Sequence, residues 1–396
     1  MIRLGQSLEA RGATNVRTQT IRGIPWLTVC LFACAQVAAA EPVTLDAIGK
    51  KWQERQDEVK SAKFVWSEER TDTKGSLSST QPRKEDNPIA QTTNSPTDVT
   101  YTTTVTASFQ GDSLLYSYTH RHWSPKTNAM KELPRLCVFD GKISKTLYIA
   151  GGGLFTAYPD GHIQRKPTHP DARNPQLRPI LMAYRSMNPK FRAYEVEQFT
   201  IAGGTAMIRG RPCVELQRRT QAHQGAFVIR CWVDPKRDYL IVREMMVEND
   251  QVGVQIDIDF APHAVAGWQP TSWKVIANYR GTNKMRESTK GTLVTCDVNT
   301  PIDPKEFDIV FPKGTYVIDF VTNEWYIVRP DGGKRIIKQD EKGRPYEELV
   351  GDLLDEVSAA DSSRIRSVIV AVVISACLAG AGVITWFYRR RCRRVV

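Results

Sequence analysis

The sequence has 396 residues, 41% hydrophobic and 24% charged, with a formal net charge of +11. The length leaves room for a large core and up to two domains. The charge sits at the ends, +3 in residues 1–40 and +7 in residues 362–396, so the body carries only +1 and offers no basis for nucleic-acid binding.

The N-terminus reads as a secretory signal. A basic stretch runs to Arg22, an apolar core covers residues 24–37, and Ala38, Ala39 and Ala40 precede Glu41. A short core ending in small residues favours cleavage after Ala40 over retention as an anchor. On either reading residues 41–361 are expected outside the cytoplasm.

Thr44 caps a predicted helix over residues 45–59. Leu45, Ile48, Trp52 and Val59 share one side of it, and Lys50, Lys51, Glu54, Asp57 and Glu58 cover the other. Residues 62–69 read as the first strand, with Phe64 and Trp66 on its dry face. Residues 71–99 are rich in Ser, Thr, Pro and Asn, and read as a mobile insertion between strands. Residues 100–109 and 113–122 form a predicted hairpin, and 135–139 with 143–149 a second. Gly151, Gly152 and Gly153 lack the Lys-Ser/Thr ending of a phosphate loop and read as a turn.

Residues 158–178 are expected to be loop. A second helix follows over 179–187, with Pro179 in its first turn and Ile180, Leu181, Tyr184 and Met187 on its apolar face. Strands are predicted at 197–208 and 211–218. An antiparallel meander comes next, over 226–234, 239–248, 253–260, 271–280 and 290–299, because its short connectors force neighbouring strands to run oppositely. Within it Val254, Ile256, Ile258 and Phe260 alternate with Gln255, Asp257 and Asp259, a strand with one dry and one wet face. Asp303, Pro304 and Glu306 make a capping box for one helical turn. A last strand ends near Asp319. Residues 320–366 read as a small separate hairpin and an acidic stalk.

Residues 367–388 form 22 positions without a charge, long enough to cross a bilayer as a helix. Trp386 and Tyr388 close it, and the five arginines of the tail, residues 389–396, place the C-terminus in the cytoplasm. This predicts a single-pass membrane protein. Four cysteines lie in the exported body, Cys137, Cys213, Cys231 and Cys296, and permit three pairings. If residues 211–218 and 226–234 form a hairpin centred on Ala222, Cys213 and Cys231 face each other and could join as a disulfide. Cys137 and Cys296 are then the remaining pair.

One ordered set of features resembles a known family. A helix precedes the first strand; another strand ends in Phe139, Asp140 and Gly141; a second helix crosses the middle. Cys231-Trp232-Val233-Asp234-Pro235 stands at a hairpin, and Phe307 to Gly314 leads to the final strand. Over residues 43–319 this order resembles the LolA/LolB-like lipoprotein-carrier superfamily, which includes RseB-type sensors. The resemblance implies an α+β, mainly antiparallel open half-barrel, with two helices lying as a lid over an apolar face that holds acyl chains. The C-terminal span and the insertion at 71–99 depart from it. A membrane-anchored, periplasmic bacterial variant is the expectation.

The residues support a groove on their own account. A broad sheet covered by two short helices leaves apolar surface to bind a ligand. Its expected lining is Phe64, Trp66, Val254, Ile256, Ile258, Phe260, Trp273, Val275 and Tyr279. The first functional expectation is therefore a tethered module that binds a lipid, an acyl chain or a lipoprotein at the membrane. The alternative is a sensor or scaffold that binds a partner protein within or beside the membrane. An enzyme is the least expected. Asp257 and Asp259 have no nucleophile beside them, His120 and His122 alone make a poor metal pair, and no GxSxG is present. No cofactor is expected.

Overall fold

The computed structural model describes residues 43–350, apart from 77, 80–92, 125–128, 150–157, 167–173, 192–193 and 223–224. The signal at 1–40, the span at 367–388, the tail at 389–396 and much of the insertion at 71–99 lie outside the described residues. Among the described residues no helix is long and apolar enough to cross a membrane.

The chain opens with α1 (Leu45–Glu58), whose N-terminus is capped as expected: Ala47 N–H donates to Thr44 Oγ1 at 3.2 Å. Strand β1 (Ser61–Asp72) follows. The insertion contributes a two-stranded pair, β2 (Ser78–Ser79) with β3 (Thr93–Asn94). Then come β4 (Val99–Gln110), β5 (Ser113–Ser124), β6 (Ala129–Phe139), β7 (Ile143–Tyr148) and β8 (Asp160–Arg165). Helix α2 (Arg178–Tyr184) leads through two single 3-10 turns to β9 (Thr200–Ile208). The meander is β10 (Arg211–Ala222), β11 (Gly225–Asp234), β12 (Leu240–Glu248), β13 (Gln251–His263), β14 (Gly267–Asn278) and β15 (Met285–Val298). Strands β16 (Tyr316–Asp319), β17 (Glu324–Val328) and β18 (Lys334–Ile336) and helix α3 (Tyr346–Val350) complete it.

Sixteen of the described strands form one sheet, in the order β18-β17-β16-β8-β7-β6-β5-β4-β1-β15-β14-β13-β12-β11-β10-β9. It is antiparallel throughout except for β8 with β16. Its two edge strands do not meet, so the sheet is open. It is also curved. Strands β5 and β12 stand six spacings apart, about 29 Å in a flat sheet. Yet Tyr116 of β5 bonds Gln176, and Glu244 of β12 bonds Arg178 two residues later. The inward side chains of β1, β4, β5 and β10–β14 accordingly join α1 and α2 in a single core cluster.

The outer face of β6 and β7 carries a second, smaller cluster. Val138 and Leu147 pack there under Ile302, Phe307 and Ile309. Gly161 belongs to this cover, since a Cβ there would meet the Phe311 ring at 2.5 Å.

Several expectations change. Residues 158–178 contain a strand, β8, and its parallel partner β16 is more than 150 positions away. The hairpin of β17 and β18 does not stand apart, because β17 pairs with β16 and extends the main sheet. The start of the expected stalk, α3, packs Tyr346, Leu349 and Val350 against Ile327. The disulfide expectation is also corrected. Ala222 pairs with Gly225, so residues 223–224 separate the strands and the hairpin is not centred on Ala222. Cys231 therefore faces Leu216, and Cys213 faces Ala206 of β9. Cys137 sits on β6 against Thr146 Oγ1 at 3.0 Å, four strand positions from Cys296 on β15. Cys213, Cys231 and Cys296 carry unbridged thiols.

Candidate ligand-binding face

The sequence-selected lining residues mostly meet. Phe64 and Trp66 on β1, Ile256, Ile258 and Phe260 on β13, and Trp273 and Val275 on β14 are all buried in the one inward cluster. Val254 is half-buried at its margin, where it also lines a pocket of about 180 Å³ with Glu248, Asn278 and Arg280. Tyr279 is not in the cluster. It lies past the end of β14, where its N–H closes the turn onto the Lys284 carbonyl at 2.9 Å.

The face is covered by the chain itself, a point the sequence left open. Every residue of α2 from Pro179 to Tyr184 is buried, so this helix is apolar all round and has no wet side. Tyr184 stacks on Phe64 at 5.5 Å and tilts against Phe109 at 6.3 Å. Phe191, Tyr194, Val196 and Phe199 continue the cover. Helix α1 lies beside it and presses Ile48 and Trp52 into the cluster. Gly49 allows the approach of α1, because a Cβ there would stand 3.0 Å from Val196 Cγ1.

Discrete polar bonds fasten this cover. Arg178, at the start of α2, donates to the buried Glu244 carboxylate at 2.8 Å, and the Tyr194 hydroxyl donates to the same oxygen. Burial pushes the Glu244 carboxyl upward, and Arg178 opposes that shift. Arg185, at the end of α2, has no carboxylate in hydrogen-bond contact among the described residues. Its guanidinium donates to the carbonyls of Val59 at 2.6 Å, Tyr184 at 2.8 Å and Lys60 at 2.9 Å, and lies 3.8 Å over the Phe109 ring. It thereby joins the C-terminal ends of both helices, where unpaired carbonyls favour a cation. Burial lowers it to about 10. On α1, Trp52 Nε1 donates to the Tyr239 carbonyl at 2.7 Å, and Arg55 donates to that of Asp238 at 2.5 Å.

The face is apolar at one end and polar at the other. Alternate positions of β1 run Ala62, Phe64, Trp66, then Glu68, Arg70, Asp72. Glu68 is buried and accepts from Trp66 Nε1 at 2.6 Å. Burial pushes its carboxyl up to about 7, with the Trp66 hydrogen bond and Arg70 opposing. Arg70 bridges Asp72 at 2.9 Å and Glu287 of β15 at 2.5 Å. These residues escaped the sequence reading, because a charge in a strand reads as its wet side. The usable signal was the unbroken period of two from Phe64 to Asp72.

The carboxylates singled out earlier are structural. Asp257 is buried, not solvent-facing as its alternation suggested. It accepts from Arg243 Nε at 2.5 Å and Gln255 Nε2 at 2.6 Å. Asp259 pairs with Arg209 and accepts from Ser272 Oγ at 3.0 Å. The side chains of His120 and His122 lie outside the described set. Among the described residues no group of three or more His, Cys, Asp or Glu could hold a metal ion.

No family model matches this sequence, and no curated protein is similar to it. Among solved structures the chain is similar to an outer membrane lipoprotein-sorting protein domain from Vibrio parahaemolyticus, at 8% identity and a TM-score of 0.36, covering 67% of this chain and 97% of that one. It is similar to a DUF1329 family protein from Desulfovibrio piger, at 10% identity and TM-score 0.33 over 67% and 95% of the two chains. It is also similar to the lipoprotein LppX of Mycobacterium tuberculosis, at 11% identity and TM-score 0.23 over 65% and 97%. These likenesses are slight, and the functional reading rests on the face itself.

Proposed function

We propose that this chain is a non-enzymatic, membrane-tethered extracytoplasmic protein that holds a lipid, an acyl chain or the lipid of a lipoprotein on the inward face of its sheet. The observation that carries this reading is the nature of the cover. A wide apolar face is closed by a seven-residue helix and irregular chain, fastened at each end by an arginine.

The energies make exchange feasible. The buried side chains of Ile180, Leu181, Met182 and Tyr184 contribute roughly 6–12 kcal/mol of burial between them. An acyl chain of about sixteen carbons, at ~0.8 kcal/mol per methylene, supplies about 12 kcal/mol on the same surface. A lipid can therefore take the place of α2 without a large net loss.

The test is to purify the full chain from membranes, extract it with organic solvent and identify released molecules by mass spectrometry. An acyl-bearing molecule near one per chain is expected. A chain that emerges empty and also fails to bind a fluorescent fatty acid overturns the reading.

A further inference from the structure

Two of the unsatisfied polar atoms among the described residues lie on either side of β15 on the inward face. Glu68 is fully buried; its Oε1 accepts from Trp66, and its Oε2 has no hydrogen-bond partner among the described residues. Trp273 is 1% exposed, and its Nε1–H has no acceptor among them either. Buried polar atoms in folded proteins are nearly always paired, so two orphans on one apolar face ask for a partner.

The two residues flank one glycine. Glu68 stands directly opposite Gly291 across β1 and β15, and Gly291 stands opposite Trp273 across β15 and β14. The indole lies over the glycine: a Cβ at Gly291 would meet Trp273 Nε1 at 2.2 Å. Trp66, whose Nε1–H donates to Glu68 at 2.6 Å, also meets the Trp273 ring edge-on at 5.7 Å between centroids, so the carboxyl and the second indole share one neighbourhood. Gly291 has no positive φ to require it. Its missing side chain is what admits the indole to this position.

The chemistry of the pair limits what fits. One atom accepts a hydrogen bond and the other donates one. A quaternary ammonium would leave the indole N–H unmet, and an anion would face the Glu68 carboxylate. A hydroxyl satisfies both, donating to Oε2 and accepting from Nε1–H. The position suits a head group. Along β1, Phe64 and Trp66 precede Glu68 on the apolar side, and the Arg70–Asp72–Glu287 network follows it. Arg286 also pairs with Glu287 at 3.1 Å, so the network of two arginines and two carboxylates balances its own charge and does not recruit an ionic head.

We propose that Glu68, Trp66 and Trp273, beside Gly291, form the head-group subsite for an uncharged, hydroxyl-bearing lipid whose chain lies along the apolar face. This rests on the binding reading above and names the ligand class for the same face. The carboxyl is raised to about 7, so above that pH it is ionised and its Oε2 can only accept, and the displacement is run at about pH 8.

The experiment uses the full chain in amphipol and displacement of a fluorescent fatty acid. Competitors share one sixteen-carbon chain: 1-hexadecanol, methyl palmitate, palmitate and hexadecyltrimethylammonium. The alcohol is expected to bind roughly tenfold more tightly than methyl palmitate, which can accept but not donate. Glu68→Leu should remove that preference. Trp273→Phe, which keeps a ring over Gly291 and deletes only the N–H, should reduce it as well. Equal binding of all four by the wild type, or a preference that survives both substitutions, overturns the subsite while the lipid-binding reading stands; the two atoms then hold only a water. If no acyl compound displaces the probe, or the probe itself does not bind, both readings fail.

Discussion

Replacing Glu68 with Gln should change how stability depends on pH. Burial raises the folded-state carboxyl from 4.5 to about 7. The folded chain thus holds this proton more tightly than the unfolded chain does. Below about pH 4.5 both states are protonated and Glu68 costs little. As pH rises toward 7 the unfolded carboxyl ionises freely while the buried one resists, so the wild type loses stability through that window. A shift of about 2.5 units corresponds to about 3 kcal/mol at pH 7.5 and above. Glutamine has no such cost. The difference in unfolding free energy, Glu68→Gln minus wild type, should therefore rise by about 3 kcal/mol between pH 4.5 and 7.5. Urea unfolding of the two full-length proteins, followed by tryptophan fluorescence at several pH values, measures it. Taking the difference cancels the other groups that burial shifts, Asp160 to about 6 and Glu244 upward. A difference that stays flat across the window would refute the buried, orphaned carboxyl.

Other substitutions probe the cover and the core. Gly291→Ala places a Cβ 2.1 Å from Trp273 Cε2, so the indole must move, at a cost of about 1–3 kcal/mol in thermal unfolding; a change below about 0.5 kcal/mol would contradict the packing. Arg185→Met strips a donor from three carbonyls and should destabilise by about 3 kcal/mol, with amide exchange in α2 accelerated ahead of the sheet. Unchanged exchange in α2 would show that the arginine does not fasten it. Cys213 and Cys231 should resist alkylation in the native chain and react after denaturation, since burial raises their thiols to about 11 and about 12. A Cys213–Cys231 linked peptide in a non-reduced digest would contradict the register.

Much of the sheet was legible because its signals are local. The meander from β11 to β15 declared itself by alternation and short connectors, and α1 by its cap and one-sided stripe. What escaped depends on distant chain. Strand β8 is a polar run, Asp160 to Arg165, that is a strand only because β7 and β16 flank it. Helix α2 is buried on every side, so a one-faced pattern underestimated its role, and that it fills the groove was not readable from the sequence. The cysteine pairing turned on the centre of one hairpin: moving it from Ala222 to residues 223–224 shifts the partner of Cys231 from Cys213 to Leu216. The aromatic lining was found in sequence because apolar alternation marks it. Glu68, Glu244 and the arginines that fasten the cover were not, because their burial is a property of the folded face.

The central claim is that this face accepts an acyl chain where α2 now lies. A diazirine-bearing fatty acid, photolysed on the full-length protein and mapped by peptide mass spectrometry, tests it most directly. The account predicts labels on β1 around Phe64 and Trp66, on β13 and β14 around Ile258 and Trp273, and on α2 itself. Labels confined to the outer face of the sheet, around Leu147 and Phe307, or no label at all, would contradict it.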